Sequence, residues 1–101
     1  MEQELFESIR RVASEIEAGV NPEHIILFNQ KKGIAGKLIS FKLCVVVDTD
    51  DKSKVEKRIY LGIDSEVPFD VVIYTPAEWN ELVNTPHSFA SIINETGVVV
   101  L

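Results

Sequence analysis

Residues 25–48 read IILFNQKKGIAGKLISFKLCVVVD, and the fold turns on how this stretch divides. Ile25, Ile26, Leu27 and Phe28 read as a strand that breaks at Asn29-Gln30 into a Lys/Gly loop. A long strand then returns over residues 41–47. Within it Phe41, Leu43, Val45 and Val47 alternate with Lys42, Cys44 and Val46, the period of two that sends successive side chains to opposite faces of a sheet. The nearly continuous apolar run at 24–28 suits a strand covered on both faces. A loop that leaves such a strand is a usual place for chemistry, because a rigid scaffold holds groups there that need not pack.

Working outward, residues 2–18 predict an amphipathic helix. Leu5, Ile9, Val12 and Ile16 recur at helical spacing, with Phe6 and Ala13 widening the stripe. Gly19 is the expected C-terminal cap, and Pro22 forbids continuation. After the long strand, Thr49 to Asp51 offer N-caps for a weakly amphipathic helix over 52–61, whose apolar edge is Val55 and Ile59. Gly62 ends it. Residues 67–74 predict a third strand, with Pro68 at its start or on an edge because proline cannot donate to a ladder. Thr75-Pro76-Ala77-Glu78 is a capping box with proline at the first helical position, which opens a short helix through Trp79, Leu82 and Val83. Asn84-Thr85-Pro86 stops that helix and caps another, in which Phe89, Ile92 and Ile93 are expected to face inward as far as Gly97. Residues 98–101 form a last short strand. The expectation is one α/β (α+β) domain over residues 1–101, a mixed sheet of three long strands and a short C-terminal one flanked by helices.

The 101 residues suffice for one core and are too few for two. Apolar residues make up 46% and charged ones 26%, an ordinary globular balance. The longest wholly apolar runs are four or five residues, so no membrane span is expected. The start Met1-Glu2-Gln3-Glu4 is acidic where a signal peptide needs positive charge, which makes the cytoplasm the expected location. Cys44 is the only cysteine, which excludes an internal disulfide. The net charge of −6 argues against a dedicated nucleic-acid groove. It is unevenly spread: residues 31–58 carry +4 and the remainder −10. Such asymmetry fits either a solvated face or a surface that meets an acidic partner or phosphate.

The order of elements, with residues 27–47 and 67–101, resembles the minimal nucleotidyltransferase-like domains of the polymerase-beta superfamily. In that family a strand ends Leu-Phe-Gly-Ser, a loop follows, and the next strand begins Ser-Asp-X-Asp before valines and leucines. Leu27 and Phe28 match, Asn29 and Gln30 fall on the Gly-Ser pair, and Ser40 matches. Phe41 and Leu43 then fall on the two aspartates. A third family carboxylate, early in a later strand, corresponds to Asp70. The resemblance covers about four-fifths of the chain, including Tyr74 to Trp79 and the ending Gly97-Val98-Val99.

Nucleotidyl transfer uses divalent metals about 3.5–4 Å apart, and magnesium takes oxygen ligands. Phe41 and Leu43 offer a metal nothing, while Asn29 and Gln30 crowd a phosphate seat that glycine would leave open. The resemblance therefore implies a member that has lost catalysis and serves as a binding or regulatory module. It needs no cofactor, and it pairs with a small helical protein or with a second copy of itself. The alternative it implies is a divergent enzyme that transfers a nucleoside monophosphate from a triphosphate with magnesium, using Asp70 and ligands supplied by a partner. A third reading is nucleotide binding without metal through Lys31, Lys32 and Lys37. Asp70 reads as a relic ligand or as a strand-start acid bonded to nearby backbone. Gly33 to Lys37 lacks the spacing and the following helix of a phosphate loop and reads as a flexible turn. His24 and His87 have no second ligand at useful spacing. Cys44 and Trp79 read as core.

Overall fold

The computed structural model describes residues 5–101. Helix α1 (Glu7–Val20) is followed by strands β1 (His24–Lys32) and β2 (Leu38–Val46), helix α2 (Lys52–Gly62), and strand β3 (Phe69–Tyr74). Helices α3 (Pro76–Leu82) and α4 (Phe89–Thr96) and the two-residue strand β4 (Val98–Val99) complete the chain. The sheet order is β3-β2-β1-β4. It is mixed: β2 runs parallel to β3, and β1 is antiparallel to both β2 and β4. The fold class is therefore α+β, as the alternation of apolar patterns predicts.

The single core expected from the length is divided by the sheet into a hydrophobic cluster on each face. Ile25, Leu27, Phe41, Leu43, Val45 and Val47 point to one side, where Ile9, Val12 and Ile16 of α1 and Val55 and Ile59 of α2 meet them. Ile26, Cys44 and Val46 point to the other side, against Trp79 of α3 and Ala90 and Ile93 of α4. Both faces of β1 and β2 are covered over this half of the sheet, which is why their sequences are apolar at every position there. Cys44 and Trp79 are buried, as their sequence context predicts. No helix among the described residues is long and apolar enough to cross a membrane.

Several boundaries differ from expectation, each for a local reason. Helix α1 begins only after Phe6, whose backbone is extended, and residues 2–4 of the expected helix lie outside the described residues. Its cap is Asn21 at φ 51°, not Gly19; an amide side chain tolerates the left-handed region well enough to end a helix. Helix α4 is capped by Ser88, whose Oγ accepts from the Ser91 N–H, rather than by the Asn84-Thr85 pair. Only Ile93 of the three residues expected to face inward is buried. Phe89 and Ile92 are half-exposed, because the inward positions fall to Ala90 and Ser91. That choice lets α4 sit close on the sheet, where small residues permit a short approach. Strand β3 starts at Phe69; Pro68 precedes it and contributes its carbonyl to the Phe41 N–H at 3.3 Å. The last strand stops at Val99.

Candidate functional site

The largest departure from the sequence reading concerns Asn29 to Lys32. These residues are not a loop. They continue β1 and pair with β2: Asn29 opposite Lys42, Gln30 opposite Phe41, Lys31 opposite Ser40 and Lys32 opposite Leu38. The loop is reduced to a tight turn in which the Gly33 N–H donates to the Lys37 carbonyl at 2.7 Å, and Gly36 takes the φ of 77° that glycine adopts without strain. Polar composition suggested a loop, but a two-stranded ribbon satisfies its backbone across the pair and leaves its side chains free to be polar.

Register decides which groups share a face. Residues directly opposite in a sheet point to the same side. Phe41 lies opposite Phe69, Lys42 opposite Asp70, and Leu43 opposite Val71. Phe41 and Leu43 are thus on the α1–α2 side, 1% and 0% exposed, with Phe41 stacked on Phe69 at 5.5 Å between ring centroids. Asp70 is on the other side and exposed. The three positions assigned to the carboxylates of the family pattern do not converge.

What Asp70 does share its face with is Lys42, Ser40, Asn29 and Lys31. An irregularity between Leu27 and Asn29 shifts the register of β1 by one residue at Phe28. Phe28 packs against the second cluster, edge-on to Phe89 at 5.4 Å, and Asn29 follows on the same side. Beyond the cover of α3 and α4, this face changes from Val46 and Cys44 to an exposed Lys42 and a half-exposed Ser40. From His24 to Val47 there is no carboxylate at all, so the ribbon is a cationic arm on an otherwise acidic protein. Lys32 lies on the opposite side, with its Nζ 5.6 Å from the centre of the Phe6 ring. Gln30 is exposed on that side too, and Lys37 is exposed beside the turn. The six candidate positions Asn29, Gln30, Lys31, Lys32, Lys37 and Asp70 are therefore divided between two faces and a turn rather than gathered.

No family model, curated protein or solved structure matches the chain. The site rests on its own geometry. Among the described residues, no three His, Cys, Asp or Glu side chains come together as a metal site needs. Asp51 is engaged as the α2 cap: its Oδ1 accepts from the Ser53 and Lys54 N–H groups at 3.1 and 3.3 Å and from the Ser53 hydroxyl at 2.8 Å. Those bonds hold its carboxyl below the usual range. Glu78 is engaged likewise, accepting from the Thr75 N–H at 2.9 Å and from the Lys52 ammonium at 3.0 Å, and its carboxyl is lowered by both. Cys44 is shielded, with burial pushing its thiol up to about 12, so it is no nucleophile.

Sequence reasoning named Ser40 only as a motif match and did not place Lys42 in the site. The alternation of β2 already separates Lys42 from Phe41 and Leu43, which was a usable signal. The side on which Asp70 emerges depends on how β3 lies against β2, and nothing in one strand's sequence encodes that register.

Proposed function

We propose that this chain is a nucleotidyltransferase-like domain without the transfer reaction, working as a binding module. The carrying observation is that Asp70 shares its face with Lys42 and Ser40, and that among the described residues no three ligating side chains come together. Moving the family pattern by one residue, so that its aspartates fall on the face of Asp70, places Ser40 and Lys42 at the two positions. Either alignment leaves a hydrophobe, a hydroxyl or an ammonium where a metal needs oxygen anions. An ammonium repels a divalent cation, so Lys42 opposes the chemistry more strongly than a merely missing ligand would. The parallel pairing of β2 with β3 and the antiparallel β1–β2 ribbon also support kinship with that fold.

Calorimetry with ATP tests the reading. The expected result is no binding that depends on magnesium. Magnesium-dependent binding abolished by Asp70→Asn would establish instead the divergent enzyme, with Asp70 as a ligand and the others supplied by a partner.

Metal-free binding of polyphosphates has a specific observation in its favour: Lys31 and Lys42 are diagonal neighbours on one face of a carboxylate-free ribbon. It requires binding that persists in EDTA, weakens with salt and disappears in the double substitution Lys31→Ala, Lys42→Ala. For a protein partner, whether a small helical protein or a second copy, the half-exposed Phe89 and Ile92, three apart on α4, are the apolar surface to be covered. Sedimentation of the wild type and of Ile92→Glu over a range of concentrations distinguishes self-association from a monomer.

A further inference from the structure

Between α1 and α2, at the end of the sheet away from the ribbon, lie two hollows of about 330 and 380 Å³ that share Gly19, Val20 and Arg58. Each falls in the size range of small-molecule sites. Their floor is apolar: Ile16, Val47, Val55 and Ile59 are all buried, and Val20 and Ile63 are the half-buried hydrophobes of the lining. Their rim is polar. Glu15 on it pairs with Arg11 at 3.6 Å. Arg58 and Lys54 have no ion pair among the described residues, and Asp48 is the other charge on the rim.

The walls supply a second, independent observation. Gly19 stands in the last turn of α1 and Gly62 at the end of α2, one on each side. Glycine is a poor helix former, so it needs a reason there. Neither has a positive φ. Neither is needed for close packing: a Cβ on Gly19 would meet only the Arg58 Nε at 3.9 Å, and one on Gly62 nothing within 4 Å. The cap of α1 is Asn21, so Gly19 is not required to end the helix. What the two missing side chains preserve is open space beside Arg58.

We propose that this groove binds a small amphipathic anion. Its carboxylate, sulfonate or phosphate head meets Arg58, with Lys54 adding charge, and its apolar body lies against Val20 and Ile63 between the bare glycines. The planar guanidinium suits an oxyanion because it presents several donors in a fixed fork. The site is independent of the nucleotidyltransferase-like reading and lies on the opposite side of the sheet from Lys42 and Asp70.

The test is fluorescence and calorimetric titration of the full chain with 1-anilinonaphthalene-8-sulfonate, an anion with a rigid apolar body. The folded wild type is expected to bind one equivalent saturably, and Arg58→Gln to weaken binding at least tenfold. Gly62→Leu is expected to abolish binding while melting no lower than the wild type, since leucine favours the helix and has room. Gly19→Ala provides the same pairing of unchanged or raised melting temperature with weaker binding. Lys42→Ala should bind as the wild type does. The proposal is overturned if the folded wild type shows no saturable binding, or if the Arg58 and glycine variants bind as well as the wild type, which would mark an adventitious additive only.

Discussion

Strand β2 shows two different fates for one ribbon of backbone. Along the side under α1 and α2 its residues are hydrophobic from Leu38 through Val47, and Phe41 and Leu43 are sealed into the core. Along the side under α3 and α4, hydrophobicity lasts only as far as those helices reach; Val46 and Cys44 are covered, whereas Lys42 stands open two residues earlier. The difference teaches that cover, rather than strand identity, dictates composition. It also means that the family pattern must be compared by face, because a displacement of one residue exchanges core for solvent.

The largest expected effect on that comparison comes from Phe41→Ala, which empties a fully buried ring site and removes its stacking on Phe69. A loss of about 3–5 kcal/mol is expected in denaturant unfolding, against a change within about 0.5 kcal/mol for Lys42→Ala, the next residue. Equal effects would mean that the two faces are not distinct. Gly97→Ala tests how closely α4 closes the second face. A Cβ there would lie 2.5 Å from Ile26 Cγ2 and 2.6 Å from the Ile93 carbonyl oxygen, so about 1–3 kcal/mol of destabilisation is expected from the forced shift.

Thr75→Ala removes half of the capping box of α3 and should cost about 1 kcal/mol by thermal unfolding. Its pH dependence sharpens the assignment. The Glu78 carboxyl is lowered in the folded state by the Thr75 N–H and Lys52, so its contribution is present above the ordinary carboxylate pKa and is lost as pH falls through the depressed folded value. The wild type should therefore lose stability in that acid window more steeply than Glu78→Gln. The subtlest probe is chemical. Cys44, with its thiol near 12, should resist an aromatic disulfide reagent in the native protein at pH 8. A cysteine placed two residues earlier by Lys42→Cys should be modified at once, and equal rates would show that the helices do not cover the strand where described.

Most of the architecture was legible in the residues. The alternation of β2, the cap at Asp51, the Thr75–Glu78 box and the inward stripe of α1 all appear where local chemistry requires them. The ribbon was not legible: Asn29 to Lys32 pair with β2 yet are all exposed, and polarity alone does not separate a loop from an exposed strand. The phase of α4 was misjudged because Ala90 and Ser91, chosen for close approach, carry a weaker hydrophobic signal than Phe89 and Ile92. The candidate site was the least readable part. Its composition depends on β3 aligning Asp70 with Lys42, a long-range register that no spacing within either strand records.

Tyr60, reaching over from α2, stacks on Phe69 at 5.8 Å and accepts the Val71 N–H with its hydroxyl at 2.8 Å. Val71 belongs to an outermost strand, whose bare amides are a template for other chains. A phenol parked on that amide denies an incoming strand its first rung, whereas on the far side β4 covers β1 only at Ile26 and Leu27. The β3 rim is thereby guarded by a side chain, while at the other rim Lys31 and Lys32, in the part of β1 that β4 does not reach, supply the charges that discourage pairing of copies. Replacing Tyr60 with phenylalanine would keep the ring and lift the guard.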